Sequence, residues 1–196
     1  CDSQPLLCSW CRQALYQSYP RCILCAAPLP EYMGDPEYMG DKELICGRCQ
    51  RRPPPWERLQ VIGDYQAPYP MLIPQLKYAG QILLAPLLAR LLADHLNSDE
   101  PPEVIIPVPL HWWRQWWRGF NQAEEIAITL SEITGIPCDK QLLSRTKATP
   151  QQTRLSAGQR RQNLRQALLQ QNPVLAQTTA GRDGRLLTLD PTLLVG

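Results

Sequence analysis

The stretch that decides the fold lies at residues 103–135 and reads EVIIPVPLHWWRQWWRGFNQAEEIAITLSEITG. Its first part, EVIIPVPL, is apolar and rich in β-branched residues without polar alternation, which predicts a strand buried on both faces. Its last part, FNQAEEIAITLSEITG (120–135), repeats apolar residues at helical spacing and stops at Gly135, which predicts a helix. A buried strand that leads into a helix is the unit of an α/β fold with a largely parallel sheet.

Weaker patterns on both sides of this stretch predict further elements. Pro70 and Pro74 are expected to break the segment that contains them. The predicted strands are LQVIGDY (59–65), LLSR (142–145) and TLLVG (192–196), and the predicted helices are QILLAPLLARLLADHL (81–96) and QRRQNLRQALLQ (159–170). In the helix over 120–135 the expected apolar face consists of Phe120, Ala123, Ile126, Ala127, Leu130 and Ile133.

The segment between the buried strand and its helix carries the residues best suited to bind a ligand. In α/β folds, ligands bind at the carboxyl ends of parallel strands, so the strand ending at Pro109 directs this segment to the functional edge. Arg114 and Arg118 are i,i+4 neighbours if the segment is helical. Asn121 and Gln122 then lie at the amino end of the next helix, where free backbone N–H groups favour an anion.

Four tryptophans in six positions accompany these arginines, at Trp112, Trp113, Trp116 and Trp117. One pair can pack inward as a water-excluding wall that strengthens the field of the arginines. Another pair can face outward and stack on single-stranded bases. We expect a loop or short helix over 110–118 with at least one pair closing a pocket against the core, and Gly119 releasing the chain into the next helix.

The charges divide unevenly along the 196 residues. Residues 1–110 carry 9 Lys/Arg and 12 Asp/Glu, whereas residues 111–196 carry 11 and 6. Seven cations and no acid lie between Lys140 and Arg165, which indicates an anionic partner or a solvated basic loop. No apolar run approaches the roughly 20 residues that span a bilayer, and no secretory signal opens the chain. The prediction is a cytoplasmic protein without a membrane span.

Seven of the eight cysteines lie within the first 49 residues, six of them in Cys-x-x-Cys pairs. Two such pairs complete a tetrahedral zinc site, whereas a disulfide framework needs an even count and an oxidising compartment. The sequence therefore predicts a double zinc ribbon over 1–50, a proline-rich linker over 51–58 and an α/β domain over 59–196. Cys22, Cys25, Cys46 and Cys49 form one complete zinc site, and Cys1, Cys8 and Cys11 an incomplete second one.

Several motifs in order give the chain a family resemblance. VPLHWWRQWWRGFNQ (108–122) resembles the Pro-Val-Pro-Leu-(His)…Arg…Arg-Gly-Phe-Asn-Gln signature of the ComF/GntX family. CGRCQRRPPPWERLQVIGDY is similar to the family's last zinc pair, linker and first strand, and IPQLKYAG to its Leu-Lys-Tyr/Phe segment. SRTKATPQQTRLSAGQRRQNL follows a further family pattern at Arg145, Lys147, Thr149, Gln152, Leu155, Arg160 and Asn163.

The resemblance implies a zinc ribbon followed by a type I phosphoribosyltransferase-like parallel-sheet domain, incomplete at its C-terminus. Such a domain holds phosphoribosyl pyrophosphate with Mg²⁺, with 109–122 as the pyrophosphate-side loop and 145–163 as a mobile basic loop that closes over the site. The ligand-binding residues that it implies are His111, Arg114, Arg118, Gly119, Asn121 and Gln122 in the first loop, and Arg145, Lys147, Thr149, Gln152, Arg160 and Asn163 in the second.

One departure from the family pattern bears on catalysis. The family's nucleotide segment, a hydrophobic strand with two acidic residues and a Thr/Gly-rich loop, is absent from the sequence, where Asp190 is the last acid. Together with Cys1, which lacks a pair partner, this absence indicates a fragment truncated at both ends. The chain as given is not expected to catalyse a reaction, and the question whether the family fold acts as an enzyme stays open.

Three functions remain in competition at this point. The first is a protein of DNA uptake or use that binds single-stranded DNA or a phosphorylated ligand. The second is a phosphoribosyltransferase acting on a nucleobase-like or amine substrate. The third is a structural adaptor whose ribbon docks a competence protein or a helicase-like partner. Pyrophosphate release and single-strand binding at two salt concentrations distinguish them.

Overall fold

The computed structural model describes residues 15, 20–29, 44–96 and 101–145, and the backbone of two further strands at 168–170 and 186–189. None of the helices within these residues is long and apolar enough to cross a membrane. The helices are α1 Gly47–Arg51, α2 Tyr69–Tyr78, α3 Leu84–Ala93, α4 Trp112–Arg118 and α5 Gln122–Thr134. The strands are β1 Val104–Pro107, β2 Leu143–Arg145, β3 Leu168–Gln170 and β4 Leu186–Leu189.

Strand β1 lies at the centre of the parallel pairing that the structure describes. On one edge it pairs with β4, with Val104 opposite Leu186. On its other edge the amide of Ile105 donates to the carbonyl of Pro137 at 2.8 Å, and the amide of Asp139 donates to the carbonyl of Ile105 at 2.9 Å. The prediction of a strand buried on both faces is confirmed, since the last three residues of β1 are buried in succession.

One hydrophobic core joins α2, α3, α5 and β1. Helices α3 and α5 pack against each other, because each presents a stripe of buried aliphatic side chains. The predicted helices over 81–96 and 120–135 are thereby confirmed, with their ends shortened by a few residues. The members of the core include Ile62, Tyr69, Ile73, Leu76, Leu88, Leu92, Ile105, Ile126 and Leu130.

The expected apolar face of α5 needs one correction. Ala123, Ile126, Ala127 and Leu130 are buried as predicted, but Ile133 is 45% exposed. The reason is that Ile133 lies in the last turn before Gly135, beyond Leu130, which is the last buried residue of α5. Gly135 ends the helix as expected, with a φ of 74° that suits glycine.

The two prolines of α2 do not break the segment, contrary to expectation. Pro70 occupies the first turn, where a backbone N–H has no helical partner in any case. Pro74 lies inside the helix and removes one hydrogen bond. The helix nevertheless forms around it, because Tyr69, Ile73 and Leu76 are buried on one side.

Three other element predictions differ from the structure or lie beyond it. Segment 59–65 is not a strand but irregular chain that buries Val61 and Ile62, because a short apolar run indicates burial without fixing its pairing. The carboxyl end of the helix predicted over 159–170 is instead β3, antiparallel to β2. The strand predicted at 192–196 falls outside the described residues, and β4 lies before it.

Candidate functional site

Four cysteine thiols converge in the amino-terminal part of the protein. The Sγ atoms of Cys22, Cys25, Cys46 and Cys49 all lie within 4.8 Å of one another, and those of Cys25 and Cys46 are 3.7 Å apart. A tetrahedral zinc ion with Zn–S bonds of about 2.3 Å would hold its sulfurs about 3.8 Å apart. The grouping predicted for these four cysteines is confirmed, and its size fits one divalent metal ion such as zinc.

Tight backbone turns bring the two Cys-x-x-Cys pairs together. After the first pair, the amide of Ala26 donates to the carbonyl of Cys22 at 2.7 Å, with Ala26 at a φ of 56°. Cys46 is the N-cap of α1, and Cys49 follows in the first turn of that helix. The amide of Cys46 donates to the Sγ of Cys22 at 3.3 Å. Residues 20–29 and 44–51 are called the cysteine module below.

The pKa values of Cys22 and Cys49 are shifted in opposite directions. Burial acts to raise the pKa of Cys22, but hydrogen bonds from the backbone amides of Cys46, Leu24 and Cys25 outweigh it and lower that pKa to about 7. Burial and hydrogen bonds with the neighbouring thiols raise the pKa of Cys49 to about 12. A divalent cation would replace the protons that the cluster shares, as thiolate ligation requires.

Of the other four cysteines, the structure describes Cys138, which lies outside this cluster. Cys1, Cys8 and Cys11, predicted to form a second site, lie outside the described residues. Cys138 packs half-buried against the main core beside β1, and burial raises the pKa of its thiol. A raised pKa keeps the thiol protonated, which agrees with a packing role and not with that of a nucleophile.

Two hydrogen bonds of 2.7 Å attach the proline-rich linker and the residue that follows it to the cysteine module. The indole Nε1 of Trp56 donates to the carbonyl of Leu24, and the amide of Leu59 donates to the carbonyl of Ile23. Both acceptors lie between Cys22 and Cys25, in the turn that carries two of the thiols. The geometry of the cluster is thereby coupled to the path of the linker.

A second set of contacts links the amino-terminal residues to the main core. The guanidinium of Arg21 forms a 3.0 Å ion pair with Asp64, and burial lowers the pKa of Arg21. The buried hydroxyl of Tyr69 donates to the carbonyl of Leu15 at 2.6 Å. Leu15 itself belongs to the main core, although it falls within the range predicted for the ribbon.

Helix α4 forms the short segment expected after β1. His111 is its N-cap, and the Nδ1 of this side chain accepts from the amide of Trp113 at 3.4 Å. Gly119 ends the helix at a φ of 80°, where its amide donates to the carbonyl of Gln115 at 2.8 Å. No heavy atom lies within 4 Å of a Cβ built there, so the backbone conformation and not lack of space requires glycine.

The orientation of α4 reverses the expectation for its tryptophans. Trp112, Trp113, Trp116 and Trp117 are 68%, 55%, 75% and 71% exposed, and no residue of α4 is buried. The prediction that a tryptophan pair closes a pocket against the core is therefore wrong. The helix has only seven residues and lies beyond the end of β1, so it turns its arginine side towards the protein and its tryptophans outward.

Asn121 and Gln122 lie at the amino end of α5, as predicted, but their side chains are buried. The Oδ1 of Asn121 accepts from the amide of Ala123 at 3.2 Å, and its Nδ2 donates to the carbonyl of Val108 at 3.2 Å. The Nε2 of Gln122 lies 3.5 Å from the carbonyl of Lys77. These amides connect β1, α2 and α5 at one point of the fold.

Arg118 is half-buried beside the end of α2, with its guanidinium 5.0 Å from the centre of the Tyr78 ring. Burial lowers the pKa of Arg118, the phenol of Tyr78 opposes that shift, and the positive charge of Arg114 adds to it. Two like charges in a partly desolvated place are stabilised by an anion. The segment from Val104 to Ala123, which carries both arginines, contains no Asp or Glu.

The structure thus brings two distant motifs together. Lys77 and Tyr78 of the IPQLKYAG segment meet Gln122 and Arg118 of the RGFNQ segment. The sequence reasoning did not give Lys77 or Tyr78 a place in the site, although the family resemblance had marked their segment. The other motif is only partly described: Arg145 ends β2, while Lys147, Thr149, Gln152, Arg160 and Asn163 lie outside the described residues.

Replacing Asn121 by alanine should lower the free energy of unfolding by about 1–3 kcal/mol. The substitution removes a helix N-cap and a half-buried hydrogen bond to Val108, the residue after β1. Urea unfolding followed by circular dichroism measures the change, and Gln115→Ala, at an exposed position of α4, serves as the control. Equal stability of the two variants would contradict the connecting role of Asn121.

No family model and no solved structure matches the chain. It is similar to DNA utilization protein YhgH of Salmonella typhi, with 37% identity over 174 residues, which are 86% of this chain and 72% of that protein. It is also similar to Competence protein F of Haemophilus influenzae, with 37% identity over 167 residues, 82% of this chain and 68% of that protein. DNA utilization protein YhgH of Escherichia coli K12 is 35% identical over 174 residues, which are 86% of this chain and 72% of that protein.

Proposed function

The chain belongs to the ComF family, and from this premise we propose that it acts in the uptake or use of DNA by binding nucleic acid or a phosphorylated ligand. The observation that carries the proposal is the similarity to Competence protein F and to DNA utilization proteins, which extends over more than four-fifths of the chain. The half-buried arginines at the end of β1 supply a place where an anion can bind.

Zinc is the metal that we assign to the cysteine module. Four thiolates are the ligand set of structural zinc sites, which leave no open position for a substrate. The role that follows is structural: the metal holds the turn between Cys22 and Cys25 to which the linker is attached. Cys1, Cys8 and Cys11 belong in this proposal to a second, incomplete site of the same kind.

For the rest of the chain we propose the phosphoribosyltransferase-like domain that the family resemblance implies, over residues 59–196. The parallel pairing of β1 with β4 and with the residues around Cys138 supports it. In such a domain the loop after β1 receives the phosphate groups of a ligand, together with Mg²⁺ where the ligand is phosphoribosyl pyrophosphate. The ribbon over 1–50 and the linker over 51–58 complete the proposed organisation.

The arginines of α4 are the residues most directly suited to hold a phosphate group. Arg118 and Arg114 lie close enough for the charge of one to affect the other, in a segment without acids. The tyrosine ring of Tyr78 covers one side of the Arg118 guanidinium, which orients the group and excludes part of its water. A phosphate that meets these cations gains more than it would at a fully solvated pair.

Replacing Arg118 by glutamine should weaken the binding of single-stranded DNA and reduce its salt dependence. One lost phosphate contact lowers the slope of log K against log salt by about 0.7 for a single strand. Titrations of a labelled oligonucleotide at several salt concentrations measure both effects. Arg90→Gln, at an exposed position of α3, is the matched control and should leave the slope unchanged.

The same titration separates the competing functions. Displacement of the oligonucleotide by phosphoribosyl pyrophosphate with Mg²⁺ would place both ligands on the surface formed by Arg114 and Arg118, called the arginine surface below. Release of pyrophosphate from that compound would favour the enzyme, and absence of binding to either ligand would favour the adaptor. Unchanged oligonucleotide binding in Arg118→Gln would contradict the assignment of the site.

A further inference from the structure

We propose that the tryptophan face of α4, formed by Trp112, Trp113, Trp116 and Trp117, is a stacking surface for the unpaired bases of single-stranded DNA. The inference rests on the proposed function in DNA use and assigns the base-contacting part of it to four side chains. The inference starts from the exposure of these side chains: each of the four indoles is more than half exposed, so packing in the core does not account for them. Adjacent large aromatic groups left open on a protein surface mark a place of interaction.

The rings already form an ordered row along the helix. The rings of Trp113 and Trp116 are stacked, with centroids 5.6 Å apart and planes inclined by 30°. Trp112 meets Trp113 edge to face at 5.8 Å, and His111 lies 5.6 Å from Trp112. Mutual contact holds the indoles of Trp112, Trp113 and Trp116 in position, so that a base can stack on them at a smaller loss of side-chain freedom.

Helical geometry separates the aromatic and cationic residues into neighbouring arcs. With about 100° between successive residues, the four tryptophans cover an arc of about 140°, and Arg114 and Arg118 lie in the next part of the circumference. A nucleic-acid strand whose bases contact the tryptophan face thus carries its phosphates along the arginine edge. The stretch from Val104 to Ala123 contains no carboxylate to repel them.

This combination favours single strands over other occupants. Base faces are accessible only where a strand is unpaired, whereas a duplex presents its phosphates and groove edges. An apolar protein partner could cover the indoles but would gain nothing from the positive charges of Arg114 and Arg118 beside them. Stacking on indoles does not distinguish bases strongly, so the surface suits a protein that handles DNA of any sequence.

The test compares two oligomers of equal length, oligothymidylate and an abasic deoxyribose-phosphate chain, bound by the full chain at fixed salt. Replacing both Trp116 and Trp117 by alanine should weaken oligothymidylate binding about tenfold or more, because stacking on two indoles is lost. Binding of the abasic oligomer and the salt slope should stay unchanged. The double phenylalanine variant should retain most of the affinity, since an aromatic face remains.

A matched control replaces Leu83 and Met71 by alanine, since these side chains are 72% and 66% exposed and lie outside α4. It should bind both oligomers like the parent, and thermal unfolding should be alike in all variants. Unchanged oligothymidylate binding in the double alanine variant would overturn the stacking surface while DNA binding itself stands. Equal losses for both oligomers would overturn it too. Failure of the parent to bind any oligomer, or its binding only to anionic lipid vesicles, would overturn the proposed function as well.

Discussion

Replacing Cys49 by serine should remove the bound metal and unfold the cysteine module. A serine hydroxyl is a poor substitute for a thiolate, and in small zinc modules the metal contributes roughly 10 kcal/mol or more of apparent binding free energy, which is also folding free energy. Metal analysis should show at least one zinc per chain in the parent and one zinc fewer per chain in the variant. Hydrogen exchange should show lost protection at the amides of Cys22, Ala26 and Leu29, which are hydrogen-bonded within the module.

The control for this experiment is Cys138→Ser, the same substitution at a cysteine outside the cluster. It should keep the zinc content of the parent and the protection of the module. In Cys49→Ser the amides of α3 and α5 should remain protected, because the main core draws most of its buried side chains from residues 62–130. A module that stays protected without metal would contradict the structural role of zinc.

Replacing Leu130 by alanine should lower the free energy of unfolding by about 2–5 kcal/mol. The Leu130 side chain is completely buried between α5 and its neighbours in the main core, so its removal leaves a cavity. Urea unfolding of the main domain measures the change. Ligand binding at the arginine surface should survive at low denaturant, because Leu130 lies two turns along α5 from Asn121 and Gln122.

Ile133→Ala is the matched control in the same helix. Its side chain is 45% exposed, so the free energy of unfolding should fall by less than about 1 kcal/mol, because little apolar area of this side chain is removed from water on folding. A loss as large as that of Leu130→Ala would show that α5 is covered to its last turn. Such a result would agree with the apolar face expected from periodicity and contradict the exposed position of Ile133.

Local patterns in the sequence were sufficient for the features that depend on neighbouring residues. The Cys-x-x-Cys spacing predicted which four thiols meet, because the two residues between each pair hold both thiols on one tight turn. The apolar run at 103–110 predicted the buried strand β1. Gly119 and Gly135 marked the ends of α4 and α5, since both positions need a φ near 80° that other residues avoid.

Contacts between distant segments decided the rest of the site. The sequence alone could not show that Tyr78 covers Arg118 or that Gln122 reaches the carbonyl of Lys77, because these residues approach only when the carboxyl end of α2 meets α4 and the start of α5. Periodicity also could not reveal that β4 pairs with β1, since short apolar runs look alike wherever they pair. The proline inside α2 is tolerated for the same reason: burial against the core outweighs one lost hydrogen bond.

The tryptophans of α4 show most clearly what the sequence determined and what the tertiary structure determined. The sequence by itself established that four indoles and two arginines share a short segment after a buried strand, and that this segment ends at a glycine. Which side of the helix faces the protein was decided only by the tertiary structure. The N-caps His111 and Asn121 fix where α4 and α5 begin, and Arg118 lies against the ring of Tyr78. The arginines are therefore half-buried and the tryptophans exposed, because a helix of seven residues cannot cover both of its faces.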